Sequence, residues 1–410
     1  MTTAHRISLR CTVCGHVALG GATPRCPTCG GRLEVERGAL PPGYAPDDTG
    51  RGIFRHAALL PPTPPDARIT LDEGATPLVP VPAAGAEAGV PGLLAKDESR
   101  NPTGTFKDRA MALAASVARA EDAPGIVCAS TGNAGASAAA YGARAGLDVV
   151  ILVPVGTPPA KLAQAAICGA RVVAVRGTYS DAWALAAAVS ASAGWLNATT
   201  TFTCPYVVEG TRTVAYELHD DVGVPDWIAV PIGAGPLLAG IAAGFADLRA
   251  LRACERAPRL LALQPAGCAP IVRAFEEGRP TRPWEAPATV ASGLADPLAG
   301  YPDEGDVTVA AVVASNGAAI AVPEDEILAA VRTLARREGL FQEPSGAIAL
   351  AGVAAARSRG LIGANDTVVA CLTGTGLKDP HAASGGAAAP FPEVTSLAEL
   401  ERELARPATG

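Results

Sequence analysis

"NPTGTFKDRA", residues 101–110, sets one lysine between a Gly-Thr turn and an Asp-Arg pair, and the alanine-rich run "AMALAASVA" takes over from Ala110. The pattern predicts a turn followed by a helix that Lys107 opens. A cation is disfavoured there, because the positive end of the helix dipole lies at the N-terminus. Two readings of Lys107 follow. Either it is a solvated surface charge, or its amine is consumed as a Schiff base with a carbonyl compound. The fold around the turn decides between them, since open α/β sheets bind ligands where strands end and helices begin.

That fold is legible in the rest of the chain. From about residue 70, short β-branched runs alternate with long alanine-rich stretches. "GIVCAS" precedes "GASAAAYGARAG", "DVVILVPV" precedes "PAKLAQAAICG", and "ARVVAVRG" precedes "YSDAWALAAAVSASAG". "WIAVPIG", "RLLALQPAG" and "TVVACLTGTG" continue the series. Apolar runs of this length predict strands buried on both faces of a parallel sheet. The alternation predicts an α/β fold with open, mostly parallel sheets covered by helices on both faces. No fixed-period repeat is present.

Composition bounds the rest. A chain of 410 residues, 49% of them hydrophobic, has room for a sizeable core and suggests either two or three domains or one two-lobed enzyme. Charged residues are only 18% and the net charge is −7, with no Lys/Arg block, which argues against a nucleic-acid partner. One local anion pocket stays compatible with this balance. "MTTAHRISLRC" has no apolar signal-peptide region, and runs such as "GPLLAGIAAGFA" are too short and glycine-rich to span a bilayer. The expectation is a soluble, cytoplasmic protein with no membrane association.

Four of ten cysteines form two CxxC pairs, Cys11 and Cys14 in "CTVCGH" and Cys26 and Cys29 in "CPTCGG". This is the pattern of two knuckles holding one tetrahedral, structural zinc ion; a metal-free ribbon is the alternative. His16 is a spare candidate ligand. The other six cysteines, Cys128, Cys168, Cys204, Cys254, Cys268 and Cys371, lie mostly in apolar runs and read as core thiols. A zinc-ribbon-like segment thus occupies 1–36. A Pro- and Gly-rich stretch at 37–70 reads as an extended linker. "PEDEILAAVRTLARREG" has acids early and arginines late, as a structural helix would.

Three further turns carry candidate chemistry. "ASTGNAGAS" (129–137) offers Ser130, Thr131, Gly132 and Asn133 ahead of a helix, a setting for an anion such as a carboxylate, or a plain N-cap. "PIGAGPLLAG" (231–240) puts Gly233 and Gly235 between strand and helix, suited to cradling a phosphate. It lacks a full GxGxxG, and no P-loop is present. "LTGTGLKDP" (372–380) presents Thr373 and Thr375 at a strand end.

Taken together and in this order, the cysteine ribbon, "DEGATPLVPV", "NPTGTFKDRA", "STGN", the mid-chain glycine loop, "EPSGAIALA" and "TGTGLKDP" resemble the fold-type-II (β-family) pyridoxal-phosphate enzymes, most closely the threonine synthases. The resemblance spans nearly the whole chain after the first ten residues. It implies a catalytic core at 71–385 of two α/β lobes, the smaller (about 108–200) inserted in the larger, with a tail at 386–410. It also implies roles. Lys107 holds pyridoxal 5'-phosphate as a Schiff base and then moves protons at the α and β carbons. Asn133 bonds the cofactor's ring hydroxyl. Gly233, Ala234, Gly235, Pro236 and Leu237 wrap its phosphate, although Pro236 has no N–H to give. Thr373 faces the pyridine nitrogen, and Ser130, Thr131 and Gly132 hold the substrate carboxylate. The implied reaction converts O-phospho-L-homoserine and water to L-threonine and phosphate, in a homodimer.

The chain departs from that pattern where the substrate's distal phosphate would sit. The residue after Asn133 is Ala134 rather than a hydroxyl. In the stretch that matches "NSxNPxR", this chain has Thr201-Phe202, Cys204 and, in place of the arginine, Val207. An arginine fork is the best bidentate phosphate clamp, so Phe202 and Val207 predict a more apolar pocket, with Cys204 inside it. The histidine expected in "TGHGLKDP" is Thr375. Two explanations stand: Arg212 or Lys161 supplies the charge, or the substrate has no distal phosphate, as for an amino-acid dehydratase, an ammonia-lyase or a β-replacement enzyme. A catalytically inactive scaffold whose ribbon binds a partner is a third reading, opposed by Lys107, Asn133 and Thr373.

Overall fold

The computed structural model describes residues 7–20, 25–380 and 393–405. The chain begins with a small antiparallel sheet of β1 (Ser8–Cys11), β2 (Val17–Leu19) and β3 (Leu33–Val35), in the order β2-β1-β3. The stretch expected to be an extended linker contains 3-10 turns at Gly52–Leu59 and Pro65–Ala67. Ile53, Phe54, His56 and Leu59 are buried, so apolar anchors pin this connection to the body despite its prolines and glycines.

Next come β4 (Leu78–Pro80), α1 (Pro82–Glu87), β5 (Leu94–Asp97) and α2 (Lys107–Ala120). An alternating run follows: β6 (Gly125–Ala129), α3 (Asn133–Ala145), β7 (Asp148–Pro154), α4 (Pro159–Ile167), β8 (Arg171–Val175), α5 (Tyr179–Ala193) and β9 (Leu196–Asn197). After α6 (Pro205–Val222) the chain continues through β10 (Trp227–Pro231), α7 (Pro236–Ala250), β11 (Arg259–Pro265), α8 (Pro270–Glu277), α9 (Asp303–Ala314) and β12 (Ala318–Val322). It then runs through α10 (Glu324–Glu338), α11 (Pro344–Ser358), β13 (Val368–Leu372) and an exposed terminal helix, α12 (Leu397–Leu404). Of the expected tail at 386–410, residues 386–392 and 406–410 lie outside the described residues.

Two larger sheets result. The order β8-β7-β6-β9 is wholly parallel. The order β12-β11-β10-β13-β5-β4 is parallel except for β4, which runs antiparallel at one edge. All six apolar runs singled out above are strands. One does not match its expected burial: β8 exposes Arg171, Val173 and Ala174, because it is the edge strand of its sheet and is incompletely covered on both faces.

Helix α2 is buried along almost its whole length, from Asp108 to Ala118. Its alanines allow a close approach by α6, where a Cβ on Gly210 would stand 2.4 Å from the Arg109 carbonyl oxygen. The start of α2 is also fixed by charge. Arg109, fully buried, donates to both carboxylate oxygens of Glu98 at 2.7 Å and to both of Glu217 at 2.5 and 2.7 Å. Lys96, equally buried, lies 2.9 Å from Glu217 and donates to the Thr76 carbonyl at 2.7 Å. Burial alone would raise the Glu217 carboxyl, but Arg109 holds it well below the usual range.

Candidate active site

The C-terminal ends of β6, β10 and β13 open onto one cavity of about 320 Å³. This is where an open parallel sheet puts its ligands. Lys107, Ser130, Thr131, Gly132, Asn133, the loop 233–237 and Thr373 all line it. The structure thus gathers candidates from distant parts of the sequence into one pocket.

Lys107 sits on the first turn of α2. Its Nζ donates to Thr200 Oγ1 at 2.9 Å and lies 4.5 Å from the centre of the Phe106 ring. Burial pulls the amine down to about 8, against the opposing pull of Cys128, Asp296 and Glu343. A buried amine near neutrality is the state in which lysine acts as nucleophile and base.

Asn133, also in the cavity lining, donates through Nδ2 to Glu343 Oε1 at 2.7 Å. Burial raises the Glu343 carboxyl to about 7. Ser130 Oγ accepts from Gly135 N at 3.0 Å and Gly132 N at 3.3 Å, so this hydroxyl also organises the turn into α3. Thr373 Oγ1 donates to the Ser345 carbonyl at 3.3 Å.

The loop 233–237 is shaped to admit an anion. Gly235 has φ +100°, and a Cβ there would meet Thr308 Oγ1 at 2.2 Å, while that hydroxyl donates to the Ala234 carbonyl at 2.6 Å. Only glycine fits both the backbone and the space. Pro236 then starts α7, where no N–H is needed. The bare turn, the helix N-terminus behind it and the lysine of lowered basicity across the cavity suit a phosphorylated aldehyde. A Gly235→Ala variant should bind such a cofactor about 10- to 100-fold more weakly, since strain at one such residue costs on the order of 1–3 kcal/mol. Absorbance titration of the metabolite-free protein measures this.

The family model for "Pyridoxal-phosphate dependent enzyme" matches residues 69–374. This chain belongs to the pyridoxal-phosphate dependent enzymes. It is 37% identical over 335 residues to a threonine synthase of Methanosarcina acetivorans, covering 80% of each chain. A threonine synthase of Synechocystis sp. is 36% identical over 389 residues, covering 93% of this chain and 94% of the relative. Among solved structures, diaminopropionate ammonia lyase from Escherichia coli superposes with TM-score 0.65 at 18% identity, over 85% of this chain and 97% of that one. Threonine deaminase isoform 2 from Solanum lycopersicum gives TM-score 0.64 at 22% identity, covering 90% of this chain and 95% of that one. Both are likenesses of fold alone.

Three expectations about the distal pocket fail. Phe202, Cys204 and Val207 are at most 3% exposed and do not line the cavity; they pack into the core. The pocket is therefore not made apolar by them, and Cys204, its thiol pushed up to about 12 by burial, is an inert core group. Nor does Arg212 reach the cavity, being held by Glu209 at 3.0 Å and Asp247 at 3.1 Å. Register placed these residues near the site, but their side chains turn away from it: Phe202 stacks under Arg32 of the ribbon, and Val207 and Cys204 join the core beside α2. Lys161 does line the cavity, and so does Thr201.

Several cavity residues were not singled out as candidates: Thr200, Tyr179, Ser292, Asp296, Glu343, Lys378 and Asp379. Glu343, Lys378 and Asp379 sit inside quoted motifs, so attention to polar residues flanking the prolines of "EPSGA" and "LKDP" would have found them. Asp296 and Ser292 lie in an irregular stretch with no periodic signal.

The four ribbon cysteines converge, their Sγ atoms all within 4.8 Å of one another. Cys11 and Cys29 are 3.5 Å apart and Cys14 and Cys26 3.6 Å, close to the edges of a tetrahedron around a Zn²⁺ ion with roughly 2.3 Å bonds. Backbone N–H groups of Val13 and Thr28 point at Cys11 and Cys26 Sγ at 3.4 Å. His16 is not part of this group.

Proposed function

We propose that this chain converts O-phospho-L-homoserine and water to L-threonine and inorganic phosphate. The observation that carries the reading is Lys107: its amine, held at about 8 by desolvation, lines the same cavity as the glycine-containing turn 233–237 and the 130–133 turn. Relatives named threonine synthase, aligned over most of their own length, fit the same reading.

When bound, pyridoxal 5'-phosphate supplies an electron sink for negative charge at the substrate's α carbon. The chain's own groups do the rest. Main-chain N–H groups of Gly233, Ala234, Gly235 and Leu237 would hold the cofactor phosphate, while Pro236 only shapes the turn. Asn133 would donate to the cofactor's ring hydroxyl, and Thr373 would meet the ring nitrogen with a hydroxyl, which forces no charge on it. Ser130, Thr131 and Gly132 hold the substrate carboxylate. Lys107 Nζ would take and return protons at the substrate's α and β carbons. Its lowered basicity suits both directions.

The reading includes a structural zinc on Cys11, Cys14, Cys26 and Cys29, a cytoplasmic homodimer, and a small amino-acid substrate. Among the described residues, no helix is long and apolar enough to cross a membrane. The ribbon has a structural reason to matter. Arg25 lies 3.1 Å from Asp303 and 3.6 Å from Glu304, and Glu304 accepts from Phe202 N at 2.9 Å and Thr203 Oγ1 at 3.1 Å, next to Thr200. Purified protein should carry close to one zinc per chain by elemental analysis. Chelation should lower Tm without discharging the cofactor at once, because no described ribbon residue lines the cavity.

Holoenzyme mixed with O-phospho-L-homoserine should release phosphate and threonine in equal amounts. Ammonia release from L-serine or L-threonine at a higher kcat/KM, with no phosphate from the phosphorylated substrate, would favour the dehydratase reading instead.

A further inference from the structure

The expected arginine clamp is absent, yet the cavity is not short of positive charge. Among the described residues, the basic side chains lining it are Lys107, Lys161 and Lys378. Lys107 is engaged with the cofactor in the reading above. Neither of the others is needed by the glycine turn, which packs against Asp296 and Thr308. Instead, Lys161 Nζ donates to Asp379 Oδ2 at 2.7 Å and to Ser292 Oγ at 2.9 Å. Ser292 Oγ itself donates to Asp379 Oδ2 at 3.0 Å. Lys378 Nζ donates to Gln164 Oε1 at 2.5 Å.

Lys161 and Gln164 lie one turn apart on α4, beside the four-stranded sheet. Ser292, Lys378 and Asp379 come from the body built on the six-stranded sheet. The lysines therefore meet across the mouth of the cavity, one from each side. Lys161 is three-quarters covered, so its charge is poorly screened by solvent. Lys378 has a neutral partner in Gln164, and burial lowers its basicity. A dianion entering the mouth meets two ammonium groups and the Ser292 hydroxyl, with the Asp379 carboxylate as the competing acceptor on Lys161.

We propose that Lys161 and Lys378, with Ser292, form the subsite for the substrate's distal phosphate, replacing the arginine that the chain lacks at 207. Lys161, which already joins α4 to the 376–379 turn through Asp379, exchanges that carboxylate for the phosphate. Release of phosphate restores the Lys161–Asp379 pair. This rests on the phosphorylated-substrate reading above.

The test measures KM for O-phospho-L-homoserine in Lys161→Met and Lys378→Met holoenzymes. It also measures, by cofactor absorbance, the affinities of the non-hydrolysable phosphonate isostere and of norvaline, which has no phosphate. Each variant should raise KM and weaken the phosphonate by about 10- to 100-fold, as loss of a charge-assisted hydrogen bond does. Norvaline should shift less than about threefold, and Lys161→Arg and Lys378→Arg should keep most of the phosphonate affinity. Turnover to threonine by the wild type with unchanged KM in both Met variants would overturn the subsite alone, as would equal loss of phosphonate and norvaline. No phosphate release by the wild type would overturn the functional reading itself.

Discussion

A Lys107→Ala variant folds, takes up pyridoxal 5'-phosphate without the covalent absorbance band, and loses threonine formation by at least about 10⁴-fold. Two functions vanish together in that variant: the imine anchor and the proton carrier at the α and β carbons. Folding should survive, because the side chain's polar contact is a single bond to Thr200 and the helix it opens is fixed by its neighbour Arg109. Circular dichroism and a turnover assay on the same sample separate the two effects. The lowered basicity of Lys107 makes a second result predictable. Since burial sets the amine at about 8, uptake of the cofactor by apo-protein should accelerate as pH rises through about 8. An exposed lysine would show this rise only near its ordinary value of 10.5. Stopped-flow absorbance at a series of pH values distinguishes the two.

Arg109→Leu costs about 3–5 kcal/mol of stability, the penalty for leaving buried charges unpaired. Glu98 and Glu217 would lose their shared partner, and neither has solvent to replace it. Urea unfolding of wild type and variant measures the difference. A double variant, Arg109→Leu with Glu98→Gln, should recover part of the loss, because it removes the stranded charge, whereas Glu217 keeps Lys96 at 2.9 Å. The pH dependence follows from the same network. The folded carboxyl of Glu217 is held well below its ordinary 4.5. Its stabilising contribution is complete above that value and is lost as pH falls through the folded range. Arg109→Leu should therefore flatten the acid limb of the stability profile.

Much of this was legible in the sequence because parallel strands buried on both faces leave long apolar signatures. The runs from Gly125, Asp148, Trp227, Arg259 and Val368 announced both the sheets and the turns at their ends, and the site lies in those turns. Strands that broke the signature went unseen. β5 carries buried Lys96 and Asp97, β12 is alanine-rich like a helix, and β9 has only two residues. The site was legible to the same extent. Lys107, Asn133, Gly235 and Thr373 stand at motif positions whose chemistry is local. Phe202, Cys204 and Val207 were assigned by register alone, and register does not tell which way a side chain turns. Lys161 was named from the sequence as a candidate charge, but its pairing with the 376–379 turn, and the placing of Lys378, depended on a long-range contact that no local pattern encodes.

Borohydride reduction of the holoenzyme followed by peptide mass mapping tests the central claim most directly. If Lys107 is the covalent anchor in this cavity, the phosphopyridoxyl group will be found on the peptide containing "NPTGTFKDRA", at Lys107, in nearly every molecule. A label on Lys161 or Lys378, or on no lysine, would contradict the account.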